Sequence, residues 1–89
     1  MVSIKWSTKA SSDFEHWQRI NPKLAQRIED LIENIKQTPY SGKGKPELLK
    51  YNLAGFWSRR VDKENRLVYR VEKGSIIIYI ESCKGHYAN

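Results

Sequence analysis

Residues 55–72 read GFWSRRVDKENRLVYRVE, two β-type segments separated by the polar tetrapeptide DKEN. In the second segment, alternate residues fall on opposite faces of a strand: Leu67, Tyr69 and Val71 on one, and Arg66, Val68 and Arg70 on the other. If a core covers the first set, the second set lies on an open face. The stretch therefore predicts an antiparallel hairpin with one buried face and one face that carries cations.

Two registers of this hairpin are compatible with the sequence. If the turn has two residues, Arg66 lies opposite Val61 and shares a face with Arg59. If the turn has three residues, Arg66 lies opposite Asp62 and shares a face with Arg60. The sequence does not choose between them, so either arginine can accompany Arg66 on the open face.

Two amphipathic helices precede the hairpin. Ser7 or Thr8 can cap the first helix, in which apolar residues recur at helical spacing: Ala10, Phe14 and Trp17. The dipeptide NP at residues 21–22 starts a second helix, with Asn as the N-cap and Pro in the first turn. The second helix ends near the dipeptide TP at residues 38–39, and its apolar face consists of Leu24, Ile28, Leu31, Ile32 and Ile35.

Strand-like segments make up most of the remaining chain. The N-terminal VSIKW alternates over residues 2–6, and a short strand is predicted around residues 48–51. A further β-rich segment spans residues 75–82 after a turn at residues 73–74. The order β-α-α-β-β-β-β predicts a single α+β domain over residues 1–89, with both helices on one face of a twisted antiparallel sheet. The other face stays open for a ligand.

The net charge of +6 is concentrated in one part of the chain. Residues 43–73 hold nine Lys and Arg against four Asp and Glu, a local net charge of +5. Such a basic surface indicates a polyanion or an acidic protein as partner. The sequence shows no apolar run of membrane-spanning length and no signal-peptide pattern, and its single cysteine, Cys83, cannot form an internal disulfide. These features predict a cytoplasmic protein.

The loop before the hairpin contains GKGKPE at residues 42–47. It lacks the G-x-x-x-x-G-K-[ST] spacing of a nucleotide-binding phosphate loop, and no strand precedes it. One Cys and two His residues do not provide the ligand spacing of a metal site. A nucleophilic pair of Cys83 and His86 is conceivable, but Cys83 ends an apolar strand, which favours a buried small residue.

A metal-free acid–base site remains as the chemistry that the residues support. RNA can be cleaved through its own 2′-hydroxyl by a base that takes the hydroxyl proton, cations that stabilise the phosphorane, and an acid that protonates the departing 5′-oxygen. The sequence offers all three types: Glu47, the basic strands and His86.

The segment KGKPELLKYNLAGFWSRRVDKENRLVY, residues 43–69, resembles the core signature of the YoeB/Txe toxins in the RelE/ParE superfamily. The N-terminal IKWS and the HY at residues 86–87 are similar to that family as well, so the resemblance covers essentially the whole chain. It implies a microbial RNase-like fold and the toxin half of a type II toxin–antitoxin pair. It also implies ribosome-dependent cleavage of mRNA in the A site, without a metal or another cofactor, that leaves a 2′,3′-cyclic phosphate and inhibits translation.

The same resemblance implies the partners. They are an acidic YefM/Axe-like antitoxin whose C-terminal segment wraps the toxin, mRNA, and the 70S ribosome with its rRNA. Relatives in the family can dimerise, so a homodimer is a further expectation. No membrane partner is implied.

Roles for individual residues also follow from the resemblance. The implied catalytic residues are Glu47 as general base, Arg66 as transition-state stabiliser, His86 as general acid, and Tyr87, which orients the substrate or stacks on a base. The implied RNA- and phosphate-binding residues are Lys43, Lys45, Lys50, Arg59 and Arg60. One departure from the family is the extension Ala88-Asn89 beyond the tyrosine.

Two other functions are compatible with parts of the sequence. A ParE-like inhibitor of DNA gyrase belongs to the same superfamily and cuts no RNA, and a simple RNA-binding module would keep the basic strands and the aromatic residues. Neither needs a carboxylate, arginines and a terminal histidine together. The sequence therefore favours the ribonuclease.

Overall fold

The computed structural model describes residues 2–72 and 77–85. Its elements follow in the order β1 (Ser3–Trp6), α1 (Thr8–Ile20), α2 (Pro22–Gln37), β2 (Glu47–Leu48), a 3₁₀ turn (Tyr51–Leu53), β3 (Trp57–Arg60), β4 (Arg66–Glu72) and β5 (Ile77–Ser82). The five described strands form one sheet in the order β1-β5-β4-β3-β2, and the helices share a core with one of its faces. The predicted α+β fold is therefore confirmed. Neither described helix has the length and apolar character needed to cross a membrane.

The sheet is mixed, which corrects the expectation of an antiparallel sheet. Strand β1 pairs in parallel with β5, with Ser3 opposite Ile77 and Trp6 opposite Ile80, whereas the other neighbouring strands are antiparallel. The helical hairpin carries the chain from β1 at one edge to β2 at the other, and the meander from β2 to β5 returns to β1. Alternation in VSIKW indicates a strand, but the direction of its partner depends on this long connection.

The helices begin at the capping residues that the sequence predicts. The Ser7 hydroxyl accepts from the Ala10 N–H at 2.9 Å and donates to the Glu81 carbonyl at 2.6 Å, so the cap of α1 is also fastened to β5. The Asn21 side chain accepts from the Leu24 N–H at 3.3 Å, and a proline occupies the first turn of α2. A side-chain cap of this kind stabilises a helix by about 1 kcal/mol.

A hydrophobic core lies between the helices and the sheet. From α2 it takes Leu24, Ile28, Leu31, Ile32 and Ile35, and from the sheet side Val61, Leu67, Tyr69, Ile78 and Ile80. Leu67 and Tyr69 are fully buried and Val71 packs against this core, which confirms the predicted inner face of β4. Burial of a Leu or Ile side chain contributes about 1.5–3 kcal/mol. The contact of α2 with the sheet is therefore a major source of stability.

The β3–β4 hairpin has a longer turn than either register predicted from the sequence. Arg60 lies directly opposite Arg66, so residues 61–65 connect the two strands. The Asp62 carboxylate accepts from two backbone N–H groups of the turn at 2.8 and 2.7 Å and so stabilises it. Both predicted registers are therefore wrong. The structure does decide which of the two arginines accompanies Arg66, because Arg60 and not Arg59 shares its face.

Arg59 lies on the opposite face and is fully buried on the helix side of the sheet. All five of its N–H donors are used: Nε donates to the Tyr69 hydroxyl at 3.1 Å, Nη1 to Asn34 Oδ1 at 2.5 Å and Lys43 O at 3.0 Å, and Nη2 to Thr38 O at 2.6 Å and Ser41 O at 2.8 Å. This burial contradicts the expectation that Arg59 binds phosphate, because its guanidinium fastens the loop after α2 to the sheet.

Two glycines allow this loop to pack closely. Gly42 and Gly44 have φ angles of 108° and 81°, in the left-handed region. A Cβ at Gly44 would lie 3.0 Å from Leu31 Cδ2 and 3.1 Å from the Arg60 carbonyl oxygen, and a Cβ at Gly42 would collide with the Asn34 side chain. The glycines of the GKG sequence are therefore required where the loop approaches α2 and β3.

Replacement of Arg59 tests its role in the interior. The Arg59→Met variant loses all five hydrogen bonds of the guanidinium, and we expect its free energy of unfolding to fall by about 3 kcal/mol or more. The neighbouring change Arg60→Met, on the open face, should alter this free energy by no more than about 0.5 kcal/mol. Urea unfolding measures both variants, and equal losses would contradict the role of the buried guanidinium.

Candidate active site

The face of the sheet opposite the helices, called the open face here, brings together three of the predicted site residues. It is not open throughout, because Ser58 and Val68 on this face are buried, which corrects the expectation for Val68. Glu47 on β2 pairs with Ser58 on β3, and Ser58 pairs with Val68 on β4. Arg60 lies two residues beyond Ser58 on the same face, so it is the diagonal neighbour of Glu47. The backbones of diagonal neighbours in an antiparallel pair are generally about 7–8 Å apart. Arg66 lies directly opposite Arg60. One carboxylate and two guanidinium groups therefore share this side of the sheet.

Glu47 follows a loop whose backbone is held from two sides. The Lys43 N–H donates to Asn34 Oδ1 of α2 at 3.0 Å, and the Arg60 N–H of β3 donates to Gly44 O at 2.6 Å. Glu47 then pairs with β3 in the sheet, while its side chain is exposed. The carboxylate is thus carried by a strand that both α2 and β3 fix in place.

The Arg66 side chain bends toward the turn that precedes it. Its Nη1, which carries two N–H groups, lies within hydrogen-bond distance of three carbonyl oxygens of that turn, those of Asp62 at 2.8 Å, Asn65 at 3.1 Å and Lys63 at 3.4 Å. These acceptors carry no net charge, so they orient the guanidinium without neutralising it. The hairpin turn therefore determines where this cation lies.

The chain after β5 returns to Arg66. The Arg66 N–H donates to Gly85 O at 3.1 Å, and the Gly85 N–H donates to the Asn65 side chain at 2.8 Å. Gly85 is the last described residue, and it is fixed at the start of β4. The predicted site residues His86 and Tyr87 lie outside the described residues, as does the extension Ala88-Asn89.

Residues of α1 that sequence reasoning missed hold the segment before Gly85. The Trp17 indole N–H donates to Cys83 O at 3.0 Å, and the Asp13 carboxylate accepts from the Cys83 N–H at 3.1 Å. Asp13 is buried and also pairs with the Lys9 ammonium at 3.0 Å. The sequence did contain a signal for this role, because Asp13 lies on the apolar face of an amphipathic helix. A carboxylate that is buried there needs hydrogen-bond donors as partners.

The predicted phosphate-binding lysines, Lys43, Lys45 and Lys50, are exposed. Lys43 and Arg60 line one groove with Arg27 of α2, whose guanidinium donates to Val61 O at 2.8 Å, and Asp30 also lines this groove. Arg27 was not predicted, since nothing in the sequence distinguishes it from other charged residues on the outer side of α2. The groove extends the basic surface from the sheet around to this helix.

A further cation lies on the open face beyond Val68. Arg70 is opposite Tyr79, with its guanidinium carbon 4.8 Å from the Tyr79 ring centre and 5.9 Å from the Phe56 ring centre. It also pairs with the Glu72 carboxylate at 3.2 Å. The interaction of a guanidinium with an aromatic face holds this side chain in place.

Cys83 is fully buried and its thiol lies 3.7 Å from the Ala10 carbonyl oxygen. Burial and, to a smaller extent, the Asp13 carboxylate raise the pKa of the Cys83 thiol to about 12, against the opposing effect of the Lys9 ammonium. The interpretation of Cys83 as a buried small residue is confirmed. A thiol in this environment supplies almost no thiolate at neutral pH. Within residues 2–72 and 77–85, no three His, Cys, Asp or Glu side chains are grouped to hold a metal ion.

Comparison with solved structures places this architecture in a known class. A YoeB/ParE toxin from Agrobacterium tumefaciens has a TM-score of 0.94 at 42% identity, over 97% of this chain and 100% of that chain. YafQ from Escherichia coli, with a TM-score of 0.77 at 17% identity over 97% of this chain and 94% of that chain, shares the fold. The two helices on a mixed five-stranded sheet are therefore the microbial RNase-like fold that the YoeB/ParE toxin and YafQ share.

The sequence comparisons identify the family within this class. Residues 6–87 match the family model described as the YoeB-like toxin of the bacterial type II toxin-antitoxin system. The curated Toxin YoeB of Escherichia coli is 45% identical over 86 residues, which cover 97% of this chain and 100% of that protein. Toxin RelK of Mycobacterium tuberculosis is 49% identical over 70 residues, 79% of this chain and 82% of that protein. The chain belongs to the YoeB-like toxins, which confirms the resemblance found in its sequence.

The Cys83 thiol provides a test of how the segment before Gly85 is held. At about pH 8, a thiol-reactive reagent should label the folded protein about 100-fold more slowly than the unfolded protein, because the thiol is buried and its raised pKa suppresses the thiolate. Asp13→Ala removes the contact with the Cys83 N–H and should accelerate labelling of the folded protein, whereas the exposed acid change Asp30→Ala should not. Mass spectrometry follows the reaction, and equal rates in folded and unfolded protein would contradict the buried position.

Proposed function

We propose that this toxin is a ribosome-dependent endoribonuclease that cleaves mRNA in the A site through the 2′-hydroxyl of the RNA. The observation that carries the proposal is the common position of Glu47, Arg60 and Arg66 on the open face, with Gly85 bound to Arg66 and followed directly by His86 in the chain. The reaction needs no metal or other cofactor, leaves a 2′,3′-cyclic phosphate and inhibits translation.

The proposed reaction is an in-line transesterification. Glu47 takes the proton of the 2′-hydroxyl, the 2′-oxygen attacks the adjacent phosphorus, and the bond from phosphorus to the 5′-oxygen breaks. His86 gives a proton to the departing 5′-oxygen, so the products are a 2′,3′-cyclic phosphate and a 5′-hydroxyl. Tyr87 orients the substrate or stacks on a base, and such stacking contributes about 1–3 kcal/mol.

The arginines of the open face stabilise the phosphorane in this proposal. The transition state carries more negative charge on the phosphoryl oxygens than the substrate, so cations aimed at these oxygens lower the barrier. A planar guanidinium can donate two parallel hydrogen bonds to a phosphoryl group. Arg66 keeps its charge beside neutral carbonyl acceptors, and Arg60 is exposed directly opposite it. This pair suits the role.

Binding of the RNA backbone is assigned to the exposed cations around the site. They are Lys43, Lys45, Lys50 and Arg60, without the buried Arg59. The local net charge of +5 over residues 43–73 supports the assignment, because cationic surfaces attract mRNA and rRNA and give binding that weakens with salt. The 70S ribosome and its bound mRNA are the proposed partners of this surface.

The remaining partners are proposed from similar toxins. A heterotetrameric YoeB–YefM toxin–antitoxin complex from Staphylococcus aureus has a TM-score of 0.87 at 40% identity, over 98% of this chain and 99% of that chain. A YoeB dimer from the same organism has the same TM-score of 0.87. These similarities support a YefM/Axe-like antitoxin as inhibitor and a homodimer. The local net charge of +5 over residues 43–73 suits an acidic antitoxin. We further propose, from the sequence, a single toxin domain that acts in the cytoplasm.

Substitution of the proposed base and acid tests the mechanism. We expect Glu47→Gln and His86→Gln each to lower the rate of mRNA cleavage on ribosomes by about 10²–10⁴-fold, because a proton transfer is lost, with little change in affinity for the ribosome–mRNA complex. Glu64→Gln and His16→Gln change the same residue types elsewhere and should leave the rate unchanged. If both site variants cleave at the wild-type rate, the assignment is wrong. Inhibition of DNA gyrase by wild-type protein that leaves mRNA intact would favour the ParE-like function.

The route through the 2′-hydroxyl is tested on the substrate. An mRNA with a single 2′-deoxy nucleotide at the cleavage position should not be cut there, because the nucleophile is missing. The control carries the 2′-deoxy nucleotide one position downstream and should be cut normally. Mass spectrometry of the upstream fragment should find a cyclic phosphate, and cutting at the 2′-deoxy nucleotide would rule out this route.

A further inference from the structure

Asn65 joins two segments that are distant in the chain. It lies in the turn between β3 and β4 and is only 8% exposed. Its side-chain Nδ2 donates to both carboxylate oxygens of Asp62, at 3.0 and 3.2 Å, and its Oδ1 accepts from the Gly85 N–H at 2.8 Å. One amide side chain therefore bridges the hairpin turn and the segment that follows β5.

The orientation of the Asn65 side-chain amide is determined by the two groups that it binds, the Asp62 carboxylate and the Gly85 N–H. An ionised carboxylate only accepts hydrogen bonds, and Asp62 also accepts from the N–H groups of Glu64 and Asn65 at 2.8 and 2.7 Å. Burial raises the pKa of the Asp62 carboxyl, but these hydrogen bonds and the one from the Asn65 amide hold it below its ordinary value. The amide NH₂ must face Asp62, so the amide oxygen faces the Gly85 N–H.

Gly85 is held by two consecutive residues. Its N–H donates to the Asn65 side chain, and its carbonyl accepts from the Arg66 N–H at 3.1 Å. Its φ of 79° lies in the left-handed region, and an added Cβ would meet nothing within 4 Å. Glycine is therefore needed here for its backbone conformation and not for space.

We propose that Asn65 is a positioning residue for the cleavage reaction, because it holds Gly85 beside Arg66 immediately before His86. This inference rests on the proposed function, which gives His86 the proton transfer. The same turn orients the Arg66 guanidinium through the Asp62 carbonyl at 2.8 Å. One turn thus sets both the cation and the attachment point of the proton donor.

A positioning role differs from a purely structural role in its kinetic effect. A residue that serves only stability changes the fraction of folded protein, whereas a positioning residue changes kcat when all of the protein is folded. A displacement of about 1 Å at a reacting group can cost about 10²-fold in rate. Asn65 is not among the exposed cations assigned to RNA binding, so KM should be retained.

Exchange of the two bridging side chains tests the inference. Asn65→Asp keeps the side-chain size but sets two carboxylates against each other, and we expect kcat for mRNA cleavage to fall about 10- to 100-fold with KM unchanged within about twofold. The double variant Asp62→Asn with Asn65→Asp restores a donor between the two side chains and should recover kcat to within about threefold of wild type. Glu64→Gln, in the same turn, is the matched control and should behave as wild type.

The amide resonance of Gly85 in an NMR spectrum reports on the bridge independently of activity. It should shift in Asn65→Asp and return to the wild-type position in the double variant. Gly85→Ala disturbs the same hydrogen bonds from the other end and leaves the turn intact, so it should lower kcat even if Asn65→Asp does not fold. Thermal unfolding verifies that each variant is folded at the assay temperature.

The outcomes separate this inference from the proposed function. A folded Asn65→Asp protein with a shifted Gly85 resonance and a wild-type kcat would overturn the positioning role. A Gly85 resonance that does not shift would overturn the bridge. A wild-type protein that cleaves no mRNA would contradict the proposed function, and with it the positioning role, while the resonance still tests the bridge by itself.

Discussion

The buried guanidinium of Arg59 is the interaction on which the geometry of the open face depends. A charged group in the interior is tolerated only when its donors find acceptors. The loop after α2 provides three of them as the carbonyl oxygens of Thr38, Ser41 and Lys43. The loop must therefore wrap around the guanidinium, and β2 begins where it ends. A contact inside the protein thus fixes the place of Glu47 on the opposite face of the sheet.

Adjacent arginines have different roles because a strand alternates its side chains between two faces. Arg59 is buried on the helix side and holds the loop, whereas Arg60 is exposed on the other face of the sheet and lies opposite Arg66. The hairpin turn then connects the cations to the rest of the site, since its carbonyl oxygens orient Arg66 and its amide side chain binds Gly85. The proposed site is built on a short strand and a turn that other elements hold rigid, as the positioning of reacting groups requires.

Several features of the fold could be predicted because their signals are local. Capping residues such as Ser7 and Asn21 mark the helix starts, and the period of two in RLVYRV defines the inner face of β4. The parallel pairing of β1 could not be read in this way, since it depends on a strand near the other end of the chain. The register of the β3–β4 hairpin was predicted wrongly because the turn is longer than expected. The Asp62 carboxylate accepts hydrogen bonds from the N–H groups of Glu64 and Asn65 and so stabilises this longer turn.

The sequence by itself determined the helices, the strands, the open face and the family, because periodicity, capping and motif are properties of short segments. It also singled out Glu47 and Arg66 through the family signature. Only the tertiary structure decided which arginine accompanies Arg66 and how Asn65 meets Gly85. The physical reason is that the burial of a charge, and hydrogen bonds between distant segments, depend on acceptors that come together only when the chain has folded.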